Sequence, residues 1–435
     1  MQAGTAVVDF TPEPGLVSQG HLGAPPTHTV LHPLEARAIV FADDADRAAI
    51  CTLDVIGVTG DFTQRVRRRV GDTRAVPADR ILIACSHTHC APAAIAAVGL
   101  QPDAAFLAGL EDAAVDAIVT AASRLEPVTL GLGAGAANFN INRRSPAPVG
   151  EDAKDHFVMN HGGVVDRRVR LLRVDGASGA PLAVLFHYSC HPTTMTGMQG
   201  NLSSDYPGAA RERIEERLQC HALFMPGCFG NIRPAIVNPE TGGFRDATRE
   251  QVDACGAELG DAVVTAMRYV RTVEHGGLAS RSVDVTFPFD DLPSPDELRA
   301  TAADSSSRES RARAAWARKV LERLEGGAAL EGDVATMQTL RIGPLRLLAI
   351  PGEVVQEIGF DVEKALTSRC GADALWAMGY CNDMVGYLVT ERQKQECGYE
   401  PGAYWLFNRP ARFREEQSVI VDAATRLLGG GRQSH

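Results

Sequence analysis

No apolar run in this chain approaches the roughly 20 residues that a membrane-spanning helix requires, which excludes such a span. The first residues, MQAGTAVVDFTPEPG, lack both a basic segment and a long apolar one, so they do not read as a secretory signal, and a cytoplasmic location is expected. Positive charge is not in excess: 43 Lys and Arg against 54 Asp and Glu leave a net charge of −11. That balance argues against nucleic acid or an anionic membrane surface as a partner and leaves a small-molecule substrate as the expectation. The ten cysteines contain no C-x-x-C pair and no repeated spacing, so they read as reduced, mostly buried thiols. No internal repeat is visible.

What is present is ordinary for a globular enzyme: 435 residues, 45% hydrophobic and 22% charged, ample for a large core. Short apolar runs at 81–84, 182–186, 222–225 and 345–350 each end in a loop holding Gly or Pro and a polar residue. Helical periodicity is expected over Phe62–Val70, with its arginines solvated, and over Asp103–Leu125, Tyr206–Gln219 and Val354–Leu366. This alternation predicts an α/β fold with a mixed β-sheet core, flanking helices and catalytic loops at strand ends. One domain over 1–435 is expected, with the Ala, Arg, Ser and Glu-rich stretch 295–327 as a helical excursion carrying Trp316, Val320, Leu321 and Leu324 on one face. His156 and His161 lie in a polar, glycine-ended stretch and read as surface residues.

The run ILIACSHTHCAP, Ile81–Pro92, holds the most pointed signal. If the extended backbone continues past the buried strand, a period of two puts His87 and His89 on one face. A His of that pair, His191 of CHPTT and Glu353 of PGEV would supply two imidazoles and a carboxylate, the outline of a catalytic zinc site. From spacing alone, His191 also fits a satisfied core histidine, and Glu353 also fits a helix cap. Cys85, Cys90 and Cys190 lie beside these candidates and read as small core residues.

SHTHCAP, NINRR, CHPTT, GCFGNIRP, AIPGEV and NDMVGY followed by GYE, in that order, resemble the catalytic domain of the neutral/alkaline non-lysosomal ceramidase family. VDFTP and HPLEARAIV near the start fit the same pattern, so the likeness runs from about Gly4 to Pro401. The resemblance implies a zinc amidohydrolase with one Zn²⁺ per chain, held by His87, His191, Glu353 and Tyr387. It implies that His89 and Arg143 face the polar head of the substrate and that Tyr399 stabilises the oxyanion.

Two departures shift the expected substrate. The family has a serine in a G-D-V-S-P loop where this chain reads Gly230-Asn231-Ile232-Arg233-Pro234, so an arginine, Arg233, replaces it. The family's C-terminal β-sandwich domain is not expected within these 435 residues. The expectation is therefore hydrolysis of an amide in a small polar or anionic molecule by zinc-activated water, with Arg143 or Arg144 and Arg233 near the substrate. The alternatives are an esterase or lactonase using the same zinc site and a non-catalytic relative that binds a small ligand.

Overall fold

The structure is a computed structural model that describes residues 1–44, 46–145, 157–371 and 373–429. His156 lies outside the described residues, and His161 is exposed as expected. Three larger sheets make the frame. In the first, the order is Ile81–Cys85, Asp46–Leu53, Glu35–Asp43, Gln2–Asp9 and Glu126–Pro127. The second runs His221–Pro226, Pro181–Tyr188, Arg168–Asp175 and Thr129–Ala136. The third runs Leu278–Pro288, Gly332–Ile342, Leu345–Ala349 and Leu375–Met378. This is the mixed α/β class that the alternating runs predict.

Strand alternation explains how the three sheets pack. In Ile81–Cys85, Leu82 and Ala84 point to one face, and Ile81, Ile83 and Cys85 to the other. Leu82, Leu172, Leu185, Leu340, Leu347 and Trp376 from all three sheets meet in one shared core. The opposite face of each sheet is covered by two helices: Gly60–Asp72 with Ala104–Ala122, Asp205–Leu218 with Arg249–Met267, and Gln356–Cys370 with Glu416–Gly429. Strands buried on both faces must be apolar at every position, which is why they appear in the sequence as unbroken runs.

Each sheet contains one parallel pair joined through a helix: Asp46–Leu53 with Ile81–Cys85, Pro181–Tyr188 with His221–Pro226, and Leu345–Ala349 with Leu375–Met378. In such units ligand sites gather beyond the carboxyl ends of the strands. His87, His191 and Glu353 each follow one of these parallel strands by a few residues.

Two sequence expectations need correction. The arginines of Gly60–Asp72 are not all solvated: Arg67 is 6% exposed and donates to the Ile81 carbonyl and to Gln338 Oε1 at 2.8 Å. Glu353 is not the cap of the helix Gln356–Cys370, whose N-cap is Val355; it lies in the short strand Glu353–Val354. The stretch 295–327 folds as two helices, Pro295–Ala303 and Arg308–Glu325, with Trp316 and Val320 buried.

The first two sheets are tied by a buried ion pair. Asp54, 1% exposed at the end of its strand, accepts from Arg211 at 2.6 and 3.0 Å and from the Glu35 amide at 3.0 Å. Arg211 lies in the helix over the second sheet. Deleting one partner of a buried pair strands the other charge, so Asp54→Ala is expected to lower unfolding stability by about 3–5 kcal/mol in urea titration. Asp54→Ala combined with Arg211→Met should recover much of that loss, and equal losses in the single and double variants would refute this account.

Candidate active site

The strand Ile81–Cys85 stops before the histidines, and here the expected continuation of extended backbone fails. His87 adopts φ +68°, a left-handed conformation that costs a non-glycine residue about 1 kcal/mol or more. Its backbone amide bonds the Val55 carbonyl, which holds the bend. His87 and His89 come together through this bend rather than through strand alternation. Their ring centroids are 5.1 Å apart.

Three imidazoles converge. His87 Nε2 is 3.0 Å from His191 Nε2 and 3.4 Å from His89 Nε2. Each ring's other nitrogen faces a backbone carbonyl: His87 that of Ile56, His89 that of Gly20 at 2.8 Å, and His191 that of Phe229 at 2.8 Å. A carbonyl only accepts, so each Nδ1 carries a proton, and in a neutral imidazole Nε2 then presents its lone pair to the common centre. Glu353 Oε2 stands 3.3 Å from the Nε2 atoms of both His87 and His191, is buried, and has no hydrogen-bond partner. Burial and then Arg143 hold His191 down to about 3. Burial and the neighbouring imidazoles hold His89 well below the usual range. Burial works against the ionised Glu353, yet His87 and His191 keep its carboxyl well below the usual carboxylate range. A cluster of lone pairs around an ionised carboxylate, with few protons to share, repels itself unless a cation joins it. His87, His89 and His191 have the spacing of a metal group, and the donor set suits zinc.

Tyr387 reaches the same place through sheet pairing. The strands Glu353–Val354 and Tyr387–Leu388 run parallel with Glu353 beside Tyr387. The Tyr387 hydroxyl accepts from Arg143 at 3.0 Å, and the ring of Tyr399 stacks edge-on to it at 5.7 Å. Burial pushes the Tyr399 phenol up to about 12, so it remains a donor across neutral pH.

A cavity of about 690 Å³ opens over this group, and His87, His89, Glu353, Tyr387 and Tyr399 line it. Arg143 and Arg233 do not. Arg143 is 4% exposed; it donates to Glu400 Oε1 at 2.9 Å and to the Gly230 carbonyl at 2.6 Å. Arg144 donates to the other Glu400 oxygen at 2.7 Å. Arg233 is 7% exposed, lies 4.2 Å from the Phe244 ring and donates to the Thr193 carbonyl at 3.3 Å. Its Nε has no partner, and among the described residues no carboxylate pairs with it. Burial and then Arg143 pull its guanidinium down to about 10.

Sequence reasoning misses Glu400 and Tyr380. Glu400 closes the GYE motif that singles out Tyr399, so the motif held that signal. Tyr380, fully buried, stacks on Phe229 at 4.2 Å and lies 4.2 Å from His87; nothing in the sequence marks it. Gly20 is required beside His89, because a Cβ there would lie 2.4 Å from that of His89. Cys85, Cys90 and Cys190 are buried, and burial raises all three thiols, so none is poised as a thiolate ligand. Ser203, His32 and Asp253 form a hydrogen-bonded row at 2.8 and 3.0 Å, but Ser203 is fully buried and is no accessible nucleophile.

The family model for neutral/alkaline non-lysosomal ceramidases, N-terminal part, matches residues 27–248. Neutral ceramidase of Mycobacterium tuberculosis is 24% identical over 448 aligned positions, covering 86% of this chain and 69% of that protein. Neutral ceramidase A of Dictyostelium discoideum is 27% identical over 263 residues, 56% of this chain and only 36% of that protein. Among solved structures, neutral ceramidase from Pseudomonas aeruginosa superposes with a TM-score of 0.73 at 20% identity, over 98% of this chain and 74% of that one. At that identity the likeness speaks for the fold.

A buried arginine without a direct ion-pair partner is costly to the fold. Arg233→Met is expected to leave stability in urea unchanged or raise it by about 1–2 kcal/mol. A loss of similar size would show that the stacking on Phe244 and the bond to Thr193 make this arginine structural.

Proposed function

Because the chain belongs to the neutral/alkaline non-lysosomal ceramidase family, we propose that it is a zinc-dependent hydrolase cleaving an amide bond of a small polar or anionic substrate. One observation carries the metal: the Nε2 atoms of His87 and His191 and the Glu353 Oε2 converge within about 3.3 Å of one another at the cavity. His87, His191, Glu353 and Tyr387 would hold one zinc per chain. When bound there, zinc would lower the pKa of a water toward about 7 and polarise the substrate carbonyl.

The side chains supply the rest. His89, anchored through Nδ1 to Gly20, offers Nε2 to the cavity as a hydrogen-bond acceptor for the polar head of the substrate. Tyr399 donates its phenolic hydrogen to the oxyanion that develops on the carbonyl carbon. Arg143, fixed by Glu400, holds the Tyr387 hydroxyl in place. Arg233 stands where the family has serine and adds positive charge beside Arg143 without a direct ion-pair partner among the described residues. That charge supports an anionic or strongly polar substrate over a neutral lipid.

Metal analysis tests the centre. Purified protein is expected to carry about one zinc per chain, and His191→Ala and Glu353→Ala should lose both metal and activity, since an incomplete donor set is not replaced by protein dipoles. His89→Ala should keep the metal and lose kcat/KM; loss of zinc in that variant would make His89 a ligand instead. Full zinc occupancy in both His191→Ala and Glu353→Ala would sink the site.

Tyr399→Phe isolates the oxyanion contact. It should reduce kcat roughly 10²–10³-fold with little change in KM and none in metal content. A near-normal kcat would return Tyr399 to a packing role.

A further inference from the structure

The helix Arg308–Glu325 forms one wall of the cavity, contributing Arg308, Arg311, Ala312 and Ala315. It is pinned there by an apolar cluster in which Trp316, Ala317 and Val320 meet Val98 and Trp405, and by a bond from Trp316 Nε1 to the Arg409 carbonyl at 2.7 Å. The stretch that looks like an excursion is thus built into the site. Its six arginines differ in their partners, and Arg318 donates to the Ala302 carbonyl at 2.8 Å. Arg299 and Arg313, which do not line the cavity, pair with Asp296 at 2.9 Å and Glu309 at 3.1 Å. Arg308 and Arg311, which do line it, have no carboxylate partner among the described residues; Arg311 donates only to the Ser305 carbonyl at 3.2 Å. The two positions are three residues apart on the helix and so share a face.

One loop connects these arginines to the chemistry. Gly20 abuts His89, and Gly23 abuts Arg308, whose guanidinium carbon lies where a Cβ at Gly23 would be, 1.8 Å away. Gly23 has φ +93°, a conformation that glycine adopts without strain. Any side chain there would push Arg308 off the wall. Three residues of backbone span at most about 11 Å, so one short loop touches both His89 and Arg308. The same cavity is lined by Leu22, Ile95, Val98 and Leu406.

We propose that Arg308 and Arg311 form an anion clamp that selects amphiphilic amides bearing a carboxylate or phosphate on the arm remote from the scissile bond. This deepens the hydrolase reading given above and rests on it for the word amide; the clamp itself is tested by binding. An apolar arm would lie along the leucine and valine lining, and its terminal oxyanion would accept charge-assisted hydrogen bonds from one or both guanidiniums. A neutral chain of the same length would leave both cations facing an apolar ligand.

The test uses fluorescent probes with one alkyl chain ending in a carboxylate, a phosphate or an alcohol, titrated against the full, zinc-loaded chain by anisotropy. Wild type is expected to bind the anionic probes roughly tenfold more tightly than the alcohol, and Arg308→Gln with Arg311→Gln to erase that preference, while Arg308→Lys with Arg311→Lys keeps part of it. Tighter binding of phosphate than carboxylate, or the reverse, tells which oxyanion the clamp favours. Equal affinity of wild type for all three probes, or an unchanged preference in the double glutamine variant, overturns the proposal. Both positions are exposed, so the variants should fold, which thermal unfolding verifies. Turnover is measured separately with a p-nitroanilide whose acyl chain ends in a carboxylate and with its methyl ester. Absence of turnover beside an intact binding preference would refute the hydrolase and leave the clamp standing.

Discussion

The rest of the site depends on one electrostatic constraint: three imidazole nitrogens and a carboxylate oxygen share one buried point. The backbone creates this condition. Carbonyls of Ile56, Gly20 and Phe229 take the Nδ1 protons and so aim each Nε2 inward. Those carbonyls come from three separate segments, and each segment is a loop at the end of a buried strand or beside one. Moving any of them turns an imidazole and undoes the convergence. The left-handed backbone at His87 is the local strain that the surrounding hydrogen bonds sustain.

Around that centre lies a layer of paired charges that keeps the donors in register. Glu400 takes one bond from Arg143 and another from Arg144, so a single carboxylate fixes two adjacent guanidiniums. Arg143 then carries the order on to Tyr387 and to the Gly230 carbonyl. Gly230 is itself pressed against the Glu353 backbone, where a Cβ would come within 2.8 Å of the Glu353 carbonyl oxygen. Buried pairs of this kind gain little net stability over apolar packing; their value is geometric definition. Arg233 breaks the pattern, being buried beside Arg143 and unpaired. It marks where this chain departs from the arrangement its motifs otherwise follow.

The cavity owes its shape to elements with no chemistry of their own. The helical pair over 295–325, the loop through Gly20 and Gly23 and the segment around Leu406 close over the donors and make an apolar approach to a polar floor. Desolvation there strengthens every charge interaction at the centre. Among the described residues no helix is long and apolar enough to cross a membrane.

The sequence by itself determined the strands, most of the helices and the residues worth watching. Buried strands are continuous apolar runs, and polar residues just past their ends stand out against them; His87, His191 and Glu353 were legible on that ground. Motif order extended the set to Tyr387 and Tyr399. What the sequence did not determine were facts about residues distant along the chain and adjacent in space. Arg143 and Glu400 are separated by 257 positions and Asp54 and Arg211 by 157, and no local period links them. Arg67 reads as one of several surface arginines until the third sheet brings Gln338 to it. The bend at His87 was invisible because strand periodicity describes backbone that continues, whereas here it stops at Cys85. Likewise 295–327 reads as an appendage until its apolar face finds Val98 and Trp405. Local pattern reports which residues seek burial; only the packing of three sheets against one another decides which of them meet.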